Sequence, residues 1–135
     1  MGEMNILEWT LAFIKYKDSV QRRVQNIIPD ESRGTIIVRN KDGSEGKYIC
    51  TNLLSSLNVK DLKDERVACL NKKENVEWLA SNWDTLKDKK CVFFFVNLKK
   101  SENWAINPHM HHSVTDKSAL KPGLKALYES ISSAD

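Results

Sequence analysis

His109, His111 and His112 are the chain's three histidines, and they fall within four residues of one another. Imidazole titrates near neutral pH and is the commonest metal-binding side chain. The cluster follows the most hydrophobic stretch of the chain, Cys91-Val92-Phe93-Phe94-Phe95-Val96-Asn97, and a second short run, Trp104-Ala105-Ile106-Asn107-Pro108. A buried strand would thus carry imidazoles to one end of a sheet. In an extended segment His109 and His111, two positions apart, project to the same side. They could supply two ligands to zinc or another divalent ion, with a third from His112 or a distant Asp, Glu or Cys. The other expectation is a polar segment between strand and helix, where Asn107, His109, His111 and His112 hydrogen-bond to a ligand or partner.

Carboxylates offer a second chemistry. Pro29-Asp30 is followed by Glu45-Gly46-Lys47. Two acids can neutralise and position a divalent ion such as magnesium, while a lysine stabilises charge or orients the nucleophile. Combined with the element order helix, three strands, helix, strand, the pattern resembles the restriction-endonuclease-like fold. In that family a Pro-Asp pair and a later Glu-x-Lys hold a metal and activate water for phosphodiester cleavage. The resemblance implies a divalent-metal-dependent nuclease or an inactive relative, with Asp30, Glu45 and Lys47 as its centre. Glu8 is then the candidate for the additional acid that some members use.

Two further sets could bind without catalysis. Trp9, Trp78, Trp83 and Trp104 are many for this length. Trp83 falls on an apolar helix face, whereas Trp9 and Trp78 lie off the main stripes, and an exposed Trp suits a protein interface or base stacking. Basic residues recur at Lys15, Lys17, Arg22 and Arg23, at Lys72 and Lys73, and around Lys87, Lys89, Lys90, Lys99 and Lys100. Some could assemble a phosphate-binding surface; their commoner role is to blunt sheet edges and keep a small protein solvated.

Other chemistries are excluded by what the chain lacks. It contains no G-x-x-x-x-G-K-[ST], G-x-G-x-x-G, G-x-S-x-G or H-E-x-x-H, and only five glycines. This argues against nucleotide hydrolysis, dinucleotide redox chemistry, α/β-hydrolase activity and zincin proteolysis. The net charge of +3, with acids and bases interleaved, is weaker than a dedicated nucleic-acid binder shows. Cys50, Cys69 and Cys91 are odd in number, far apart and set in apolar runs, which reads as buried thiols in a reducing compartment. With no basic leader and no apolar run of roughly 20 residues, the expectation is a soluble, cytoplasmic protein.

The elements that must position these residues follow from periodicity. Ile6, Phe13, Tyr16, Val20, Val24 and Ile27 predict a helix over residues 4–28, stopped by Pro29. Strands are predicted at 35–39 and 47–51 around an Asp42-Gly43 turn, and at 66–71. A helix over 73–88 follows, with Val76, Leu79, Ala80, Trp83 and Leu86 on one face. The run 91–97, apolar on both faces, is predicted as the central strand, with 104–106 its antiparallel partner. Leu120, Leu124, Leu127 and Ile131 predict a last helix over 118–132, capped by Asp116 or Ser118, before a frayed tail at 132–135.

The chain therefore reads as a single domain over residues 1–135. Its class is α/β, with α+β the alternative: a mixed four- to five-stranded sheet flanked by helices in the order α-β-β-β-α-β-β-α. The leading functional expectation is a non-catalytic interaction module, using the sheet end around residues 107–118 to bind a protein or small molecule. Nucleic acid is a further possible partner, and a membrane is not expected. The nuclease is the alternative, and a histidine-based metal site at His109 and His111 is the third reading.

Overall fold

A computed structural model describes residues 4–114 and 117–135, the side chains at 113, 114 and 117 excepted. Six strands form one mixed sheet in sequential order. These are β1 (Val24–Asp30), β2 (Thr35–Asn40), β3 (Glu45–Cys50), β4 (Arg66–Leu70), β5 (Val92–Asn97) and β6 (Glu102–Ile106). The first three form an antiparallel meander, β3, β4 and β5 run parallel, and β6 returns antiparallel. The helices are α1 (Ile6–Gln21), α2 (Lys73–Ser81), α3 (Trp83–Leu86), α4 (Pro108–Val114) and α5 (Leu120–Glu129). The fold is thus α/β, with helices on both sides of a mixed sheet.

The side-chain alternation of β5 divides the core. Phe93 and Phe95 pack with Val67, Leu79, Trp83, Leu86, Trp104 and Leu124 beneath α2, α3 and α5. Phe94 and Val96 pack on the opposite face with Ile36, Val38, Tyr48 and the α1 residues Ile6, Leu7, Trp9 and Ile14. Both faces of β5 are covered, as its unbroken apolar run requires. Its position differs from the expectation: β5 is an interior strand, but only β6 separates it from the edge, and β3 and β4 hold the middle.

The first predicted helix is two elements. α1 ends where Arg22 turns left-handed (φ 51°) and donates its N–H to Asp18 O. Asp18 Oδ1 then accepts from the N–H groups of Arg23 and Val24, turning the chain into β1. Periodicity ran through this break because Val24 and Ile27 also pack towards α1, but from the sheet. Val20, expected in the apolar stripe, is 80% exposed. Pro29 is tolerated because β1 is an edge strand and need not donate at every residue. The sheet consequently gains a strand over the four or five expected.

The β1–β2 turn depends on Gly34, at φ +66°, where a Cβ would come within 2.7 Å of Cys50 O. Gly43 (φ +90°) completes the expected β2–β3 turn, and Asp42 Oδ1 accepts from the N–H and hydroxyl of Ser44. The predicted helix over 73–88 is divided at Asn82 into α2 and α3.

The tail, expected to fray, makes hydrogen bonds to the core. Asn71 Nδ2 donates to Ser132 O, and Asn97 Nδ2 donates to the carbonyls of Ser132 and Ser133. Ala134 N–H donates to Asn71 O, and the Asp135 carboxylate accepts from Lys73 N–H and the Tyr128 hydroxyl. The carbonyls of these short polar residues meet the side chains of two buried asparagines.

Candidate functional site

The histidines sit on α4, not on an extended segment. Pro108 occupies the first helical position, and Asn107 caps it by accepting Met110 N–H on Oδ1 at 3.2 Å. Residues two apart on a helix lie on nearly opposite sides, so the strand-like pairing of His109 with His111 is lost. His109 Nδ1 lies 2.8 Å from Lys87 O, at the end of α3. The His111 ring meets the Trp83 ring edge-on at 5.7 Å. His112 is exposed, as is Met110, at 65%. Two imidazoles thus fasten α4 to α3. No group of three His, Cys, Asp or Glu among the described residues is arranged to hold a metal. Asp116, one proposed cap of the last helix, lies outside the described residues, and α5 begins after Ala119 with no side-chain cap.

The carboxylates of the nuclease pattern are not brought together. Asp30 pairs with Thr35 at one end of β2, while Glu45 pairs with Arg39 at the other. Two strand spacings and four residues of offset separate their Cα atoms by about 16 Å. Each acid is occupied within its own hairpin. Asp30 accepts from the Ser32 hydroxyl at 2.7 Å and Arg33 N–H at 3.2 Å, and these contacts, Ser32 foremost, hold its pKa below the usual value. Glu45 Oε2 accepts from Arg39 Nε at 3.0 Å. Lys47 shares the face of Glu45, but Glu8 does not: it is on α1, which covers the face that Tyr48 and Cys50 enter.

The tryptophans pack against core residues. Trp9 is buried and stacks on Phe13 at 5.0 Å; Trp104 stacks on Phe95 at 4.1 Å. Trp78 is half-buried against Phe93 at 6.1 Å, and Trp83 is core. Trp9, expected off the stripe, is inside because α1 packs through Ile6, Leu7, Thr10 and Ile14. The three cysteines are free and buried. Burial, with Glu65 nearby, pushes the Cys91 thiol up to about 11, so it is not a poised nucleophile.

A cleft of about 730 Å³ between α2 and α5 is a candidate site that sequence reasoning missed. Val76, Ala80, Leu124 and Tyr128 contribute apolar surface, and Lys73, Lys121 and Lys125 bring positive charge. Glu77 and Glu129 also line it, and Glu129 is 3.9 Å from Lys125. A smaller hollow lined by Trp83, Asp84 and Ser118 shares Ala80 and Lys121 with it, extending the surface towards α4. Nothing local signals this cleft: Val76, Ala80 and Leu124 read as ordinary core positions of two separate helices. Among the described residues no helix is long and apolar enough to cross a membrane. Comparison with protein-family models, curated proteins and solved structures finds no match to this chain.

Proposed function

We propose that this chain is a non-catalytic interaction module that receives an acidic amphipathic helix of a partner protein in the cleft between α2 and α5. The observation that carries this reading is the cleft itself, an apolar floor between two helices with lysines at its edge. That is the form in which a groove takes the apolar face of a helix. Lys125 is 3.9 Å from Glu129, and the cleft sets three lysines, Lys73, Lys121 and Lys125, against the two carboxylates Glu77 and Glu129, which favours carboxylates on the incoming segment. The adjoining hollow reaches Ser118 and Trp83, which the His111 ring meets edge-on, so in this reading Asn107, His109, His111 and His112 belong to the surround of the binding surface. Their role in this reading is to hold α4 in place beside the partner. The hydrolytic alternative needs Asp30 and Glu45 at one ion, and their separation across the meander weighs against it. The three free, buried thiols support a cytoplasmic setting.

The test is amide chemical-shift mapping with a short helical peptide carrying Leu on one face and Glu on the other. Shifts are expected at Val76, Ala80, Leu124 and Tyr128, weakening as salt is raised and lost in Ala80→Trp, which fills the floor. Shifts confined to other elements, or none, overturn the reading.

A further inference from the structure

A second, smaller cavity of about 170 Å³ lies on the other side of the sheet, where the end of α1 meets β3 and β4. Its lining includes Lys17 and Asp18 of α1, Arg23 of the connection, Gly46 and Tyr48 of β3, and Arg66 of β4. The fold brings them together for local reasons. The left-handed turn at Arg22 folds Arg23 back beside α1. The parallel register sets Tyr48 beside Arg66.

The cations here are not committed to carboxylates. Lys17 Nζ lies over the Phe13 ring at 5.2 Å, and the Arg66 guanidinium lies over the Tyr48 ring at 5.6 Å. Gly46 leaves room beside it, since an added Cβ would stand 3.4 Å from Arg66 Nη1. Neither these two nor Arg23 forms an ion pair with any described residue. Asp42 is near enough for the charge of Arg23 to favour its ionised form, without ion-pair contact. Asp18 is already engaged, with Oδ1 accepting from the N–H groups of Arg23 and Val24.

Tyr48 supplies an independent observation. It is 8% exposed, and its hydroxyl has no hydrogen bond to any described residue. Every fully sealed side-chain polar atom among the described residues has a partner. The Tyr48 hydroxyl is therefore not sealed, and Tyr48 is one of the residues that line this cavity.

We propose that the cavity binds the phosphate group of a phosphomonoester. Three cations against the single carboxylate of Asp18 leave about two positive charges, matching the charge of roughly −1.5 to −2 that a monoester carries near neutral pH. A phosphodiester offers only one. Arg66 and Arg23 supply planar donor forks and Lys17 a point charge, the two ways proteins hold phosphate. Tyr48 adds a neutral donor. Whole-ligand pockets run to about 300–1,000 Å³, so a cavity of about 170 Å³ takes the phosphate and leaves the rest of the molecule outside.

The experiment is an amide-shift titration with inorganic phosphate, and separately with dimethyl phosphate, at constant ionic strength. Phosphate should give saturable shifts over residues 17–24, 46–48 and 66. Its affinity should exceed that of dimethyl phosphate by about fivefold or more and rise between about pH 5 and 7.5, as the second proton leaves. Arg66→Gln, at an exposed position, should weaken binding about tenfold, and Tyr48→Phe a few-fold. Shifts that fail to saturate, equal affinity for dimethyl phosphate, or unchanged binding by Arg66→Gln overturn the proposal.

Discussion

Asn71 carries more of the core's polar accounting than any charged residue. It is fully buried at the end of β4. Its Oδ1 accepts from Trp104 Nε1 at 2.8 Å, and its Nδ2 donates to Tyr128 O at 3.0 Å and Ser132 O at 3.2 Å. One amide thereby ties β6, α5 and the tail to the parallel strands. Asn71→Ala leaves the indole N–H and two carbonyls without these partners, and unmet buried groups cost about 1–3 kcal/mol each. Urea denaturation should show a loss of about 2–4 kcal/mol, and a loss below ~1 kcal/mol would mean that water replaces the side chain. The sequence displays Asn71, Asn75 and Asn97 as polar residues beside apolar runs. Their partners lie up to 61 positions away, so no local pattern could have paired them. The carboxylates illustrate the converse. Asp30 and Glu45 match a motif in the sequence, yet each finds its partner within its own hairpin.

At the scale of elements, α4 was concealed by the chemistry of its residues. Three imidazoles near a strand invite a metal reading, but Asn107-Pro108 is itself a helix start, with a capping side chain before a proline whose missing N–H is not needed. That signal was legible and was outweighed by the histidines. Asn107→Ala should remove the cap at a cost of about 1 kcal/mol, confined to α4. Hydrogen exchange should then quicken at Met110 and His111 and leave β5 unchanged; equal exchange in both proteins would show that the His109–Lys87 and His111–Trp83 contacts suffice. The boundary of α1 was less readable. Val24 and Ile27 continue a helical spacing, and only pairing with β2 converts them to strand. Single-chain periodicity registers which residues are buried, not what they are buried against.

For the whole molecule, the tail closes the fold. The Asp135 carboxylate sits where Lys73 N–H opens α2 and the Tyr128 hydroxyl leaves α5, so it joins the two helices that form the cleft. The Tyr128 bond, then that of Lys73, holds the Asp135 carboxyl below its ordinary value of 3.8. A carboxyl whose folded pKa is lowered contributes stability that is present above the ordinary value and lost as pH falls through the lowered one. Lys73 N–H should therefore keep its shift from neutrality down to about pH 4 and lose it below, while Asp135→Asn should flatten that titration. A Lys73 shift independent of pH in the parent protein would show that the carboxylate does not hold the tail. The sequence by itself determined the class of the fold, because the pattern of apolar residues reports burial one element at a time: β2–β6 and the apolar faces of α2 and α5 follow from it. It also showed the Asp42-Gly43 turn, whose backbone demands are local. Only the tertiary structure decided that the meander takes a sixth strand, that Asp30 and Glu45 stand apart, that the tail is fastened, and that α2 and α5 leave a cleft between them. Each of these depends on which distant surfaces meet, and contact across the chain is written in geometry that no local spacing contains.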